Sequence, residues 1–578
     1  MRLALPAPRL LALWLCLGLA AAGAPAQAKS TPAHRSPTHR SMVSAANPLA
    51  VEAGLKVLRA GGGAADAAVA IQAVLGLVEP QSSGLGGGAF LVYYDARTQK
   101  VTAYDGREVA PMGASPDMFL RPDGRPLPFG EAVVSGRATG VPGAVAMLAA
   151  VQKDHGHLPW ARLFGDSAAL AEQGFKVSPR LANYIAGGGF PQSNMPDVKR
   201  YFAKADGQPY KAGDTLKNAA YAATLRALAK QGPAAILRGP IAADIVARLH
   251  AEPLPASMTE ADLAGYKPKV TEPLCRPYRI YVVCTPQPPS GGIGLLEMLG
   301  ILEATDIATR GPKDAQAWFL FAEASRLTYA DRDHYVGDPA KVAVPIAGLL
   351  DPTYTASRAK LIGARAIPGA PGFGQPPGAP ARSRDRTLEP AGTSSFAVAD
   401  KFGNVVAMTT TVESLFGTGR MVHGFFLNNQ LTDFSFAPNE PSGEAAANAV
   451  GPGKRPRSTM SPTIVLDRQG RFVAAIGSPG GAAIVDYVAK TLVALIDWKM
   501  PLDQAIALPN LIARGDSVSP EMGFDSAIAA ALRDRGLNVR EGRAENSGLH
   551  GLAAGSLSPK GGLVGAADPR REGVARGF

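Results

Sequence analysis

Thr393 stands just ahead of an apolar run, and a threonine hydroxyl attacks a carbonyl only when a base lies beside it. The stretch around it, GTSSFAVADKFGNVVAMTTTVESLFGTGRMVHGFFLNNQLTDF (392–434), reads as two strands, FAVAD and VVAMTTT, turned at KFGN. Taken by itself, a threonine at such a place is a β-former opening a strand. The familiar hydrolytic signatures are missing: there is no GxSxG elbow, no HExxH helix and no Walker loop. His155 and His157 flank Gly156 in what reads as a surface turn rather than a metal pair. Cys275 and Cys284 bracket RPYRIYVV, a short hairpin whose ends lie opposite each other. A disulfide there suits an oxidising compartment, two unpaired thiols being the alternative, and without suitably spaced histidines the pair makes a poor metal site.

These residues need a scaffold, and the chain carries one. NPLAVEAGLKVLRAGGGAADAAVAIQAVLGLVEP gives two Ala-rich helices broken at Gly61, Gly62 and Gly63. GLGGGAFLVYYDART and KVTAYDGREVAP read as paired strands. Residues 141–265 are mostly helical by period, and PQPPSGGIGLLEMLGILEA is a Gly-rich turn opening a helix, followed by the helix AQAWFLFAEASRLTYADRDHY. Residues 363–391 lose all apolar periodicity and become rich in Pro, Gly, Ala and Arg, which predicts a flexible surface segment. Strands return at 394–412, at SPTIVLD and GRFVAAIGSP, and near the C-terminus around GLHGLAAGSLSP and GLVGAADPRR. Strand-rich segments alternating with blocks of helix predict sheets covered by helices.

Composition narrows the function classes. Hydrophobic residues at 46% against charged ones at 19% describe a globular chain. Residues 1–28 read as an export signal: Arg2 and Arg9, an apolar run from Leu10 to Leu19, and Ala26-Gln27-Ala28 as a cleavage site. No later stretch is long and apolar enough to span a bilayer, so a soluble exported protein, periplasmic or secreted, is expected. Its loss takes away two arginines and no acid, lowering the net charge from +11 to +9. The remaining basic residues are scattered without interleaved aromatics, which argues against a nucleic-acid partner.

The order of motifs resembles the γ-glutamyltranspeptidase (glutathione hydrolase) family of N-terminal-nucleophile hydrolases over essentially the whole mature chain. The motifs are EPQSSGLGGGAF, DGREVAP, PQPPSGGIGLLEML, TYADRDHYVGDP, the Thr393 hairpin with FGTG and LNNQLTDFS, RPRSTMSPTIV, IGSPGG and GAADPR. The resemblance implies that the precursor cuts itself between Gly392 and Thr393, giving a large subunit (29–392) and a small one (393–578) that remain together as a heterodimer. Thr393 is then both the nucleophile and its own base, because cleavage frees an α-amine with a pKa near 7.7–8.0. By the same resemblance Thr411 hydrogen-bonds the nucleophile, and the backbone N–H groups of Gly480 and Gly481 form an oxyanion hole. Arg107, Ser458 and Thr459 hold the substrate α-carboxylate, and Gln430 and Asp433 the α-ammonium. The implied fold is α+β, a four-layer αββα sandwich with one core built from both subunits. No cofactor or metal is implied; the partners are glutathione and other γ-glutamyl donors, with water, amino acids or peptides as acceptors.

Two departures bear on specificity. Glu413 stands where well-known members carry a substrate-contacting Asn, so a carboxylate there either strengthens ammonium binding or repels the substrate carboxylate. Residues 437–452 contain no aromatic and predict a shorter lid over a more open pocket. Two further readings compete on the same scaffold: a cephalosporin or glutaryl acylase, and an exported binding protein that has lost the chemistry.

Overall fold

Asp400 turns the chain back on itself. Its Oδ1 accepts from the backbone N–H groups of Phe402 (2.9 Å) and Asn404 (3.0 Å), and Gly403 takes a positive φ of 89°. The strands on either side, Thr393–Ala399 and Val405–Thr411, therefore pair with Ala399 opposite Val405 and Thr393 opposite Thr411. In the computed structural model, which describes residues 40–578 apart from 383, 384, 386, 391, 438–443, 543–546 and 560, this hairpin is the centre of a seven-stranded antiparallel sheet. The expected export signal, and part of the expected lid, lie outside the described residues.

In spatial order the sheet runs Val574–Gly577, Met42–Ala45, Thr393–Ala399, Val405–Thr411, Gly88–Asp95, Lys100–Gly106 and Lys269–Thr271. A second antiparallel sheet has six strands: Gly561–Ala567, His550–Gly555, Phe472–Gly477, Thr463–Leu466, Tyr281–Thr285 and Leu274–Tyr278. The chain is thus a mixed α/β protein of helices and antiparallel sheets. Cys275 lies opposite Cys284 in its last strand pair, and a disulfide joins them across a Cα–Cα distance of 4.1 Å.

Side chains alternate between the faces of each strand. Ala397, Ala399, Val405 and Ala407 of the first sheet share one apolar cluster with Cys284, Ile464, Ala475 and Leu552 of the second. On the opposite face, Phe396, Val398, Val406 and Met408 join a cluster with the helices Pro48–Arg59 and Ala64–Val78. On the outer side of the second sheet, Val465, Ala474 and Ile476 cluster with the helices Gly292–Glu303, Ala315–Tyr335 and Ile484–Ile496. Each buried Val, Met or Phe is worth roughly 1.5–3 kcal/mol. A one-residue slip of the hairpin would turn all of them to the wrong face, so the pairing of Thr393 with Thr411 is enforced by the core.

The segment before Thr393 departs from expectation. Among the described residues it holds no helix or strand between Ala359 and Thr393, and most of it lies at the surface, as its composition predicts, but it is tied down there. Arginines of neighbouring helices serve its carbonyls: Arg326 donates to Ile367 (3.1 Å) and Arg358 to Gly372 (2.9 Å). Phe373 stacks on His334 at 3.5 Å, and Asp385, Thr387 and Glu389 are buried. Side-chain donors thus serve several of its carbonyls where a ladder is missing.

Candidate active site

The hairpin register brings two hydroxyls together at its open end. Thr393 Oγ1 donates to Thr411 Oγ1 at 3.2 Å, and Thr411 Oγ1 donates to the carbonyl oxygen of Gly392 at 2.7 Å. The Glu413 backbone N–H donates to Thr411 Oγ1 at 2.8 Å, fixing that hydroxyl from a third side. Thr411 therefore links the Thr393 hydroxyl to the carbonyl of the peptide bond that precedes it. Gly392 fits because it is glycine: a Cβ there would lie 2.1 Å from the Glu413 carbonyl oxygen. Arg571 Nη1 donates to the Thr393 carbonyl at 3.3 Å, steadying the other side of the residue.

Thr393 and Thr411 open onto a narrow cleft. Arg107, Glu413, Gln430 and Asp433 line one part of it, and Ser458, Thr459 and Gly481 another, so the cleft collects most residues singled out in the sequence. Gly480 is next to this lining without being part of it, and the Cys275–Cys284 bridge is elsewhere, in the six-stranded sheet.

Each wall has a local cause. Arg107 follows the Lys100–Gly106 strand and is 1% exposed; its Nη2 donates to Asp433 Oδ2 and to the Arg457 carbonyl, both at 2.6 Å. Asp433 closes the short helical turn Gln430–Asp433, and Gln430 Nε2 donates to the same Oδ2 at 2.6 Å. Asn428 anchors that turn: its Oδ1 accepts from Gln430 N–H (3.0 Å) while its Nδ2 donates to the carbonyls of Gly86 (2.7 Å) and Gly140 (2.8 Å). The EPQSSGLGGGAF and LNNQLTDF motifs are thereby joined in space. Thr459 Oγ1 donates to the Gly481 carbonyl at 2.7 Å, and Ser458 Oγ accepts from Met460 N–H at 3.1 Å.

Gly480 and Gly481 both have positive φ, 141° and 56°. Side chains are excluded there as well: a Cβ at 480 would meet the Tyr487 ring at 2.3 Å, and one at 481 the Glu389 carbonyl oxygen at 2.4 Å. The KRPR run ahead of Ser458 is buried rather than solvated. Lys454 Nζ donates to the carbonyls of Ala447 (2.8 Å) and Ala449 (2.7 Å), and Arg457 pairs with Asp385 at 3.0 Å.

Glu413 is buried with φ 78°, its carboxylate accepting from Ser414 Oγ (2.5 Å) and from Asn429 Nδ2. Burial, then the neighbouring Asp433 carboxylate, push its pKa well above the usual carboxyl range. Burial raises Asp433 too, against the opposing pull of Arg107. The acid end of the cleft thus favours a proton, or a cation, between two carboxyl groups.

Several site residues have no signature in the sequence. Glu389 and Pro390, from the segment expected to be loose, line the cleft with Met460 and Ile484. Arg571 sits in the GAADPRR motif, but nothing in its neighbours marks it as reaching Thr393. Among the described residues no group of three or more His, Cys, Asp or Glu is arranged to hold a metal ion.

Comparison with known proteins agrees with the motif order. Residues 50–578 match the family described as Gamma-glutamyltranspeptidase. The chain is 37% identical over 552 residues to a glutathione hydrolase proenzyme of Bacillus subtilis (strain 168), covering 93% of this chain and 91% of that one. Its fold resembles a cephalosporin acylase from Bacillus halodurans with a TM-score of 0.84 at 27% identity, covering 96% of this chain and 99% of the other. A chain of Helicobacter pylori gamma-glutamyltranspeptidase matches with a TM-score of 0.53 at 34% identity, covering 55% of this chain and 90% of that one.

Proposed function

The chain belongs to the gamma-glutamyltranspeptidase family, and from that premise we propose that it is a self-processing γ-glutamyltransferase and glutathione hydrolase whose nucleophile is Thr393. The observation that carries this reading is the Thr411 hydroxyl, bonded at once to Thr393 Oγ1 and to the Gly392 carbonyl. In self-cleavage Thr393 Oγ1 attacks the Gly392 carbonyl carbon while its proton passes to the departing nitrogen. The C–N bond breaks and an ester joins Gly392 to Thr393. Water then hydrolyses the ester, leaving a Gly392 carboxylate and a free Thr393 amine. Thr411, donating to the carbonyl oxygen, draws off charge as that oxygen becomes an oxyanion.

In turnover the freed α-amine takes the Thr393 hydroxyl proton, and Oγ1 attacks the γ-carbonyl of the donor. The Gly480 and Gly481 N–H groups receive the developing oxyanion, and the ammonium returns its proton to the leaving amine. Water or an amino acid then releases the γ-glutamyl group from the ester. Arg107, with Ser458 and Thr459, takes the donor's α-carboxylate; Asp433, Gln430 and Glu413 take its α-ammonium. In the unliganded cleft Arg107 and Asp433 neutralise each other, and a donor carrying both charges replaces that pair with one partner for each.

The cut divides the chain into a large subunit, 29–392 once the export signal 1–28 is removed, and a small subunit, 393–578. The first sheet supports their remaining together as a heterodimer, since the Thr393–Ala399 strand lies between Met42–Ala45 and Val405–Thr411. The clusters on both sides of each sheet support a four-layer αββα sandwich. No helix among the described residues is long and apolar enough to cross a membrane, which suits an exported enzyme.

The fold likeness to the cephalosporin acylase, with Glu413 in the ammonium end, favours a second reading in which a glutaryl-type acyl group is the substrate. Turnover of a γ-glutamyl anilide against a glutaryl anilide decides between them. The γ-glutamyl compound is expected to lead by about a hundredfold in kcat/KM, because losing the α-ammonium leaves buried carboxyl groups unpaired. A preference for the glutaryl compound would overturn the assignment.

A further inference from the structure

Four residues before the scissile peptide, Glu389 is held by three guanidinium groups. Its Oε1 accepts from Arg332 Nη2 at 2.6 Å, its Oε2 lies 3.4 Å from Arg514 Nη1, and Arg457 Nε is 3.6 Å from Oε1. Arg332 and Arg457 are fully buried, and Asp333 bridges the cluster, pairing with Arg332 at 2.9 Å and Arg514 at 2.8 Å. Arg332 and Arg514 both lie over the Tyr329 ring, at 5.9 and 5.3 Å. Burial works to raise the Glu389 carboxyl, and the three arginines overrule it, holding it well below the usual range. Desolvating four charges is costly, and surface pairs would serve stability as well at less cost. The arrangement is better explained by what it holds in place.

That is the approach to the cut. The Glu389 carbonyl accepts from Ala482 N–H at 2.8 Å, next to the Gly480–Gly481 pair. Pro390 follows with its restricted φ and leaves the backbone little freedom. At the far end Gly392 is seated against the Glu413 carbonyl, and Thr393 is locked into the sheet opposite Thr411. The approach is therefore held at two points: Gly392 and Thr393 by the hairpin, and Glu389 by the arginine cluster. A displacement of about 1 Å in such a geometry costs on the order of a hundredfold in rate.

We propose that Glu389 is a positioning residue for self-cleavage, and that Arg332, Arg457 and Arg514 form a carboxylate site whose occupation aligns the Gly392–Thr393 peptide for attack. The inference rests on the reading that this bond is the one cut. An opening of about 300 Å³, lined by Tyr329, Asp333, Thr387 and Arg514, gives a small anion an approach to the Arg514 side of the cluster.

The experiment follows cleavage of purified precursor by gel and intact mass for the wild type, E389A and E389Q, each with added acetate or chloride at equal ionic strength. E389A is expected to cleave at least about tenfold more slowly, and acetate, filling the vacated arginine site, restores the rate with saturation while chloride does not. E389Q keeps the bulk without the charge; it melts lower, because the buried arginines lose a counter-charge, and at a temperature where it stays fully folded it is slowed and acetate does not restore it. Wild-type rates in both variants would overturn the proposal, as would equal responses of E389A to acetate and chloride. If E389A does not fold, E389Q decides by its rate measured below its own melting transition: a wild-type rate there overturns the proposal. A wild type that does not cleave at 392/393 would instead remove the underlying reading of function.

Discussion

At the scale of single residues the account turns on one hydroxyl. Thr411 Oγ1 accepts from Thr393 Oγ1 and the Glu413 N–H and donates a hydrogen bond to the Gly392 carbonyl, so it is the group that orders nucleophile and electrophile before any bond changes. Replacing it by valine keeps the β-branched shape in the strand and removes the bridge. T411V is therefore expected to fold, with a melting temperature lowered by the unpaired Glu413 N–H, and to cut itself about a hundredfold more slowly where it is fully folded, a loss in the range of a missing oxyanion donor. A gel time course of freshly purified precursor measures this, and a T411V precursor maturing at the wild-type rate would show that the bridge is incidental. Glu413 belongs to the same scale. Beside Asp433 it makes an acidic end of the cleft, on which the proposed ammonium site rests.

At the scale of elements, the hairpin shows what a sequence can reveal. Its two runs, the Asp400–Asn404 turn and the alternation of Phe396, Val398, Val406 and Met408 are all local, and together they set the register that pairs Thr393 with Thr411. The Cys275–Cys284 pair was legible for the same reason, being nine residues apart across one turn. The Glu389 cluster was not legible. Its arginines come from 332, 457 and 514, and no periodicity links an ion pair to partners so distant. The burial of Lys454, Arg455 and Arg457 in the KRPR run, by specific carbonyls and acids distant in sequence, has no local signature either. Glu108, one residue past Arg107 and packed against Gly88 of the adjoining strand, gives the elements a pH response. Burial, opposed by Arg107, pushes its pKa up to about 8. The folded chain then keeps a proton that the unfolded chain has already released, so stability falls as pH rises from the ordinary carboxyl range to about 8. The slope from this group is at most about 1.4 kcal/mol per pH unit. Urea midpoints at pH 5 to 8 are expected to converge less steeply toward instability in E108Q than in the wild type; parallel profiles would contradict it.

At the scale of the whole molecule, the two parts of the chain are interleaved rather than side by side. The Met42–Ala45 strand, from before the cut, borders the Thr393–Ala399 strand that begins at it, and Val574–Gly577 borders Met42–Ala45 in turn. Breaking one peptide bond in such a sheet frees an amine at its centre without separating the layers that hold Arg107, Asp433 and Gly481 around it. The segment that ends at Gly392 is fastened by side chains instead of by a backbone ladder, which suits the proposed cut at its end. The central claim is that Thr393 cuts the bond before it and becomes the new N-terminus. Intact-mass measurement on purified wild-type and T393A protein tests it most directly. The account predicts two wild-type chains, the smaller spanning Thr393 to Phe578, and a single uncut T393A chain; a T393A protein resolving into the same two chains would contradict it.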